Sequence, residues 1–172
     1  YAVDKSTNSS VAGPFMLAPI PLPELFPDIR VTVSNSFAME PGLTLFNLMH
    51  WYEDRRDAEY GSLVIVNQLG EVVWFHDAGF PLLDARQLEN GNILYMNSKY
   101  GMLVEVDMFG NAVSRWHSTG VPKDVPEDSI PVETETFHHE VSVMPNGNFL
   151  TLGAELRDFD EYPSSEQDPD AP

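Results

Sequence analysis

Apolar residues in this chain arrive in short bursts. From Leu43 onward the bursts are LTLFNL (Leu43 to Leu48), SLVIVN (Ser62 to Asn67), EVVWFH (Glu71 to His76) and LLDARQL (Leu82 to Leu88). NILYMN (Asn92 to Asn97), MLVEVD (Met102 to Asp107), AVSRWH (Ala112 to His117), HHEVSVM (His138 to Met144) and NFLTLG (Asn148 to Gly153) continue the series. Each burst holds roughly 5–7 residues rich in Val, Ile, Leu, Phe, Tyr and Trp, the length and make-up of a strand. Turn formers separate them. Asn90-Gly91 and Asn146-Gly147 are hairpin signals, because Gly reaches positive φ without steric cost. Gly70 and Gly110 occupy equivalent places between two bursts. No long segment has a helical period. The pattern predicts an all-β fold.

The bursts also repeat. VNQLGEVVW (Val66 to Trp74) matches VDMFGNAVSRW (Val106 to Trp116), with the turn glycines 40 positions apart. LENGNIL (Leu88 to Leu94) matches MPNGNFL (Met144 to Leu150) at an interval of 56, lengthened by an acidic insertion from Val121 to Glu135. Four short strands in roughly 40–50 residues are the sequence mark of a β-propeller blade. One complete blade is expected from about Leu82 to His117, with a partial blade before it and another starting at His138. About two and a half blades leave open edges. Further chain or another polypeptide is expected to supply the remaining blades.

Upstream, Pro14 to Pro27 carries five prolines among apolar residues. Proline fixes φ and removes a donor, so neither a helix nor a central strand fits there. Residues 1–27 read as an extended Pro-rich arm laid on the body through Phe15, Leu17, Ile20, Leu22, Leu25 and Phe26, its first residues loose. Residues 28–157 read as the partial propeller, and 158–172 as an acidic loop or ragged end.

Charge narrows the partners. Nine Lys and Arg face 27 Asp and Glu, a formal net charge of -18. Such a field repels nucleic acid and anionic membrane surfaces, so neither partner is expected. No apolar run approaches the roughly 20 residues that span a bilayer. The chain has no cysteine, which removes thiolate nucleophiles, disulfides and cysteine-based metal sites.

The entry FPDIRVTVSNSFAMEPGLTLFNL (Phe26 to Leu48), LVIVNQLGEVVWFH (Leu63 to His76), ARQLENGNILYM (Ala85 to Met96), GMLVEVDMFGNAVSRWH (Gly101 to His117) and FHHEVSVMPNGNFLTL (Phe137 to Leu152) together resemble the bacterial arylsulfotransferase family. The MEPGLTLFN entry and the HHE-before-PNGN order are the specific parts. The resemblance implies a six-bladed propeller, exported to the periplasm or cell exterior. It implies transfer of a sulfuryl group from an aryl sulfate ester to a phenol, without a nucleotide sulfate donor. A histidine would attack sulfur and carry the group as sulfohistidine, two easier steps replacing one.

Candidate chemistry centres on His138 and His139, at the start of an innermost strand where propeller ligands usually sit. By the resemblance His139 is the active-site member and His138 supports it. A polar pair merely satisfied at a strand end is the plainer reading; in a further alternative the attacking histidine belongs to later blades and His139 stabilises charge or transfers a proton. Glu140 could orient a histidine and fix its tautomer. Arg86, on the innermost strand of the complete blade, either reaches a substrate anion or pairs with one of the many acids. His76 and His117, at matching outer-strand ends, read as structural. Arg55, Arg56 and Arg115 read as surface charges, and the loop from His50 to Tyr60 as solvated. HHE is not a zinc motif, since neighbours on a strand point to opposite sides, and the acidic stretches lack a calcium-loop pattern. No metal or cofactor is expected. The alternative to an enzyme is a non-catalytic propeller serving as a structural or binding module, since propellers are reused widely. A quinone-dependent dehydrogenase is disfavoured, because repeated tryptophan docking motifs and a calcium site are missing.

Overall fold

The computed structural model describes residues 2–3, 9–10, 21–24, 26–35, 37–50, 60–97, 100–120, 125–155 and 157–158. Near the start, β1 (Ala2–Val3) and β2 (Ser9–Ser10) form a small antiparallel ribbon where the sequence suggested only a loose arm. The body comprises β3 (Thr44–His50), β4 (Tyr60–Val66), β5 (Val72–Asp77), β6 (Leu82–Gln87), β7 (Ile93–Asn97), β8 (Met102–Val106), β9 (Ala112–Ser118), β10 (Ile130–Val132), β11 (His138–Val143) and β12 (Phe149–Leu152). There is no helix among the described residues, so the all-β expectation holds.

These ten strands form three open sheets, ordered β3-β4-β5, β6-β7-β8-β9-β10 and β11-β12. All nine apolar bursts became strands, within a residue or two of their expected ends. Strand β10 was not expected. It lies inside the acidic insertion and pairs in parallel with the outer edge of β9. Pro131 suits that position, since an edge strand tolerates a residue without an N–H.

Central strands carry the core. Every residue of β4, β7 and β8 is buried. One cluster (Leu63, Ile65, Leu82, Ile93, Tyr95, Met102, Val104 and Val106) joins the first two sheets. A second (Leu94, Met96, Leu103, Phe137 and Val141) joins the last two. Burying each such side chain contributes about 1.5–3 kcal/mol. Of the Pro-rich arm, Phe26 does meet the body, edge-on to Phe75 at 6.4 Å. Leu22 is exposed, and Phe15, Leu17, Ile20 and Leu25 lie outside the described residues.

Four hairpin turns share one geometry. In Asn67–Glu71, Leu88–Asn92, Asp107–Asn111 and Met144–Asn148 the first residue's carbonyl accepts from the glycine three positions on, and its N–H donates to the carbonyl four positions on. Gly70, Gly91, Gly110 and Gly147 sit at φ 79°, 88°, 84° and 82°, the left-handed region that such turns require. Two of the turns are near copies. Asn67 and Asp107 each accept two further backbone N–H groups. In the first an Asn67 amide donates to the Glu71 carboxylate; in the second the Asn111 amide donates to the Asp107 carboxylate. The same bond is made with the partners exchanged. The donors of Asn111, with the turn N–H groups, hold Asp107 below the usual carboxylate range.

The copy extends beyond the turn. Tyr60-Gly61 and Tyr100-Gly101 open the two units, and Ala78 and Ser118 close them by donating to the carbonyls of Gly61 and Gly101. Register within these hairpins corrects one expectation. His76 pairs with Leu63, whereas His117 pairs with Met102, the counterpart of Ser62. His117 therefore matches Asp77, not His76, and a one-residue offset places the two histidines on opposite faces. Each is still held locally. His76 lies parallel to Trp74 and beside Tyr95, and His117 shares a 2.8 Å hydrogen bond with Ser129.

The chain reaches β6 by crossing β4. Phe80 runs over Gly61 so closely that a Cβ there would stand 2.1 Å from the Phe80 carbonyl oxygen. Glycine is obligatory at this crossing, and the crossing brings β6 against β3, where the Asn47 amide donates to the Leu82 carbonyl.

Candidate active site

The site is built where β6 meets β11. Both are first strands of their sheets, and both are irregular. In β6 the pairing with β7 skips Asp84; in β11 the pairing with β12 skips His139 and Glu140. Asp84 and His139 are the only non-glycine residues at positive φ among the described residues, at 41° and 57°. That conformation costs an L-residue roughly 1–2 kcal/mol, and it persists only where the surroundings impose it.

In β11 the surroundings do impose it. Phe137 and Val141, both buried in the second core cluster, anchor the chain on either side of the sequence His138-His139-Glu140. The three residues between these anchors arch outward and are exposed. The arch overturns the alternation expected of neighbouring histidines. With His139 left-handed, both imidazoles come together, nearly parallel at 19° with centroids 4.6 Å apart and Nδ1 to Nδ1 at 2.6 Å. The rings are thus nearly parallel, with their Nδ1 atoms in contact. A hydrogen bond across this contact requires one ring to donate from Nδ1 and the other to accept there, the roles being set by the tautomers.

This fixes what the outer ends of the pair offer. The ring that donates from Nδ1 has a bare Nε2 lone pair, a nucleophile. The ring that accepts at Nδ1 carries its own proton on Nε2, a hydrogen-bond donor. A neutral pair thus presents one nucleophile and one donor, and it has an internal route for moving a proton.

Arg86 and Glu140 belong to the same cluster but not in the simplest expected roles. Arg86 donates from Nη2 to Glu140 at 2.9 Å, and from Nε to Asp84 at 3.1 Å and to the Val141 carbonyl at 3.2 Å. The acid next to the histidines is held by Arg86, not by an imidazole. Both side chains remain well exposed, at 44% and 59%, so water screens the pair. Asp84 completes the cluster by accepting the Val141 N–H at 2.9 Å, and Thr151 donates to the Glu140 carbonyl. Asp84 was not among the candidates. Its signal is a carboxylate within an otherwise apolar strand opening, at the place corresponding to the histidine arch.

Other candidates lie elsewhere. Arg115 pairs with Asp128 at 2.7 Å. Trp51, Arg55, Arg56, Asp124 and the acids beyond Asp158 lie outside the described residues. A half-open cavity of about 430 Å³ lies between the first two sheets, lined by His76, Phe80, Tyr95, Tyr100 and Arg115 among others, with none of the arch residues. Burial pushes the Tyr95 hydroxyl up to about 12. No group of three or more His, Cys, Asp or Glu that could hold a metal occurs among the described residues, nor does any helix there long and apolar enough to cross a membrane.

Fold and site together define an all-β protein of repeated antiparallel hairpins that displays a hydrogen-bonded histidine pair from the first strand of a sheet. The family model for arylsulfotransferase (ASST) matches residues 29–168, and the chain belongs to that family. The family supports an arylsulfotransferase-like function with aryl sulfate and phenol substrates. No curated protein and no solved structure matches the chain.

Proposed function

We propose that the protein transfers a sulfuryl group from an aryl sulfate ester to a phenolic acceptor through a sulfohistidine on His139, within a six-bladed propeller exported to the periplasm or cell exterior. The observation that carries the reading is the pair of His138 and His139, whose Nδ1 atoms meet at 2.6 Å. Its chemistry suits a double displacement. His139 Nε2 attacks sulfur, an N–S bond forms, and the S–O bond to the donor breaks with release of phenolate. The positive charge arising on His139 is relieved as its Nδ1 proton passes to His138 Nδ1. The acceptor phenol then gives up its proton, which the released donor phenolate takes up through solvent, and its oxygen attacks sulfur; the N–S bond breaks and the Nδ1 proton returns from His138 to His139. Arg86, held by Asp84 and Glu140, would bind the sulfuryl oxygens by exchanging the Glu140 carboxylate for them.

The test uses an aryl sulfate whose phenol absorbs visibly, together with an acceptor phenol. Acceptor-dependent release that is lost in His139→Ala supports the assignment. Release that survives moves the nucleophile to another histidine.

A second reading is a non-catalytic propeller acting as a structural or binding module. One observation favours it: the charge of Arg86 is already matched by Asp84 and Glu140. Absence of release from folded protein across several aryl esters would decide for this reading. In both readings the open edges of the sheets are covered by further propeller blades, from the same chain or from another polypeptide.

A further inference from the structure

We infer that Asp84 is the positioning residue of the histidine pair: from the neighbouring sheet it holds the left-handed arch that brings His138 and His139 together. The inference rests on the proposed role of that pair. Its geometry is independent of it.

Where the β11–β12 ladder skips His139 and Glu140, the next residue, Val141, needs partners for its backbone. Both come from β6. Asp84 accepts the Val141 N–H at 2.9 Å, and Arg86 Nε donates to the Val141 carbonyl at 3.2 Å. Two side chains thus stand in for a missing strand at a single residue. Arg86 is itself fixed by Asp84, at 3.1 Å, so the carboxylate organises both bonds. Val141 cannot slide into register with the arch without breaking them, and its own side chain is fully buried. On the other side Phe137 is anchored in the same core cluster. The chain between these fixed points contains one residue more than regular pairing with β12 accommodates even with a simple bulge. The excess is absorbed by His139 at φ 57°. Asp84 reaches Val141 because it is itself bulged out of β6 at φ 41°. Two irregular strands therefore lock each other, and the product of the lock is the 2.6 Å contact between the imidazoles.

The experiment compares Asp84→Ala and Asp84→Asn in the native protein, reading turnover and the nitrogen resonances of the two imidazoles. Asparagine keeps an acceptor for the Val141 N–H and loses only the charge towards Arg86. In wild type one histidine should show a protonated Nδ1 and the other a protonated Nε2. In Asp84→Ala that distinction should collapse into averaged tautomers while the sheets stay folded. With the arch misplaced by an ångström or so, kcat should fall on the order of 100-fold with KM nearly unchanged. Asp84→Asn should keep the split tautomers and recover most of the turnover. Tautomers that stay split in a folded Asp84→Ala overturn the inference, as does Asp84→Asn behaving like Asp84→Ala. If wild type transfers no sulfuryl group, the proposed function fails, and the nitrogen resonances alone still decide whether Asp84 positions the pair.

Discussion

The outer hairpins and the inner seam obey different rules. The β4–β5 and β8–β9 hairpins share their Tyr-Gly opening, their turn bonds and their closing hydrogen bond, 40 residues apart. The first strands β6 and β11 share only an irregularity. β6 uses it to turn a carboxylate into its neighbour, and β11 uses it to lift two histidines into the open. Repetition marks the places where only stability is at issue. Departure from the repeat marks the candidate for chemistry. Changes in the seam should therefore strike activity and spare stability, and changes in the hairpins should do the reverse.

The largest effect is expected at His139. His139→Ala should lower kcat for sulfuryl transfer by about 1,000-fold or more, as expected for loss of a covalent nucleophile. His139→Gly sharpens the point. Glycine accepts the left-handed backbone without strain, so thermal unfolding should show stability unchanged or raised by up to about 1 kcal/mol while transfer is equally lost. A large fall in stability with glycine would mean that the histidine serves the fold.

In the hairpins the strongest expected effect is at Gly61. A Cβ there meets the Phe80 carbonyl, so Gly61→Ala should destabilise by about 1–3 kcal/mol in denaturant titration, with turnover per folded molecule unchanged. Ser118 gives a smaller change of opposite sign. Its hydroxyl is buried without a partner, and the matching residue of the other hairpin is Ala78. Ser118→Ala should raise stability by up to about 1 kcal/mol.

The smallest effect is in pH dependence. Burial holds His76 below its ordinary 6.5, against an opposing pull from Asp77. On acidification the unfolded chain takes up this proton before the folded one. The His76 contribution is thus complete above pH 6.5 and declines as pH drops towards the lower folded value. His76→Phe, which keeps a ring against Trp74, should flatten that part of the stability curve. Tyr95 works in the other direction: its contribution is complete below pH 10 and is lost between there and about 12.

Much of the fold could be read along the chain, because strands and tight turns are local objects. The apolar runs located β3 to β9, β11 and β12, and the glycines located the turns. Strand β10 escaped because three residues containing a proline carry little signal and their partner is a parallel edge. The site was legible in part. Of the candidates, Arg86 pairs with Glu140 and His138 with His139, and departure from a repeat is visible in letters alone. The way they combine was not. Strand alternation placed the histidines on opposite sides, and nothing local announces that position 139 turns left-handed. The bond from Val141 to Asp84 spans 57 positions, and it is made by a backbone group, which has no identity in the sequence.

The exchanged partners of the two copied turns say something about descent. If both hairpins came from one ancestral unit, an amide and a carboxylate traded ends between Asn67–Glu71 and Asp107–Asn111. Such a trade takes two substitutions, and their order matters. An intermediate with acids at both ends sets two negative charges at contact distance in a turn that both must close. An intermediate with amides at both ends still forms the bond. A turn with asparagine at both positions should therefore close better than one with acids at both, so Glu71→Asn should be tolerated where Asn67→Asp is not.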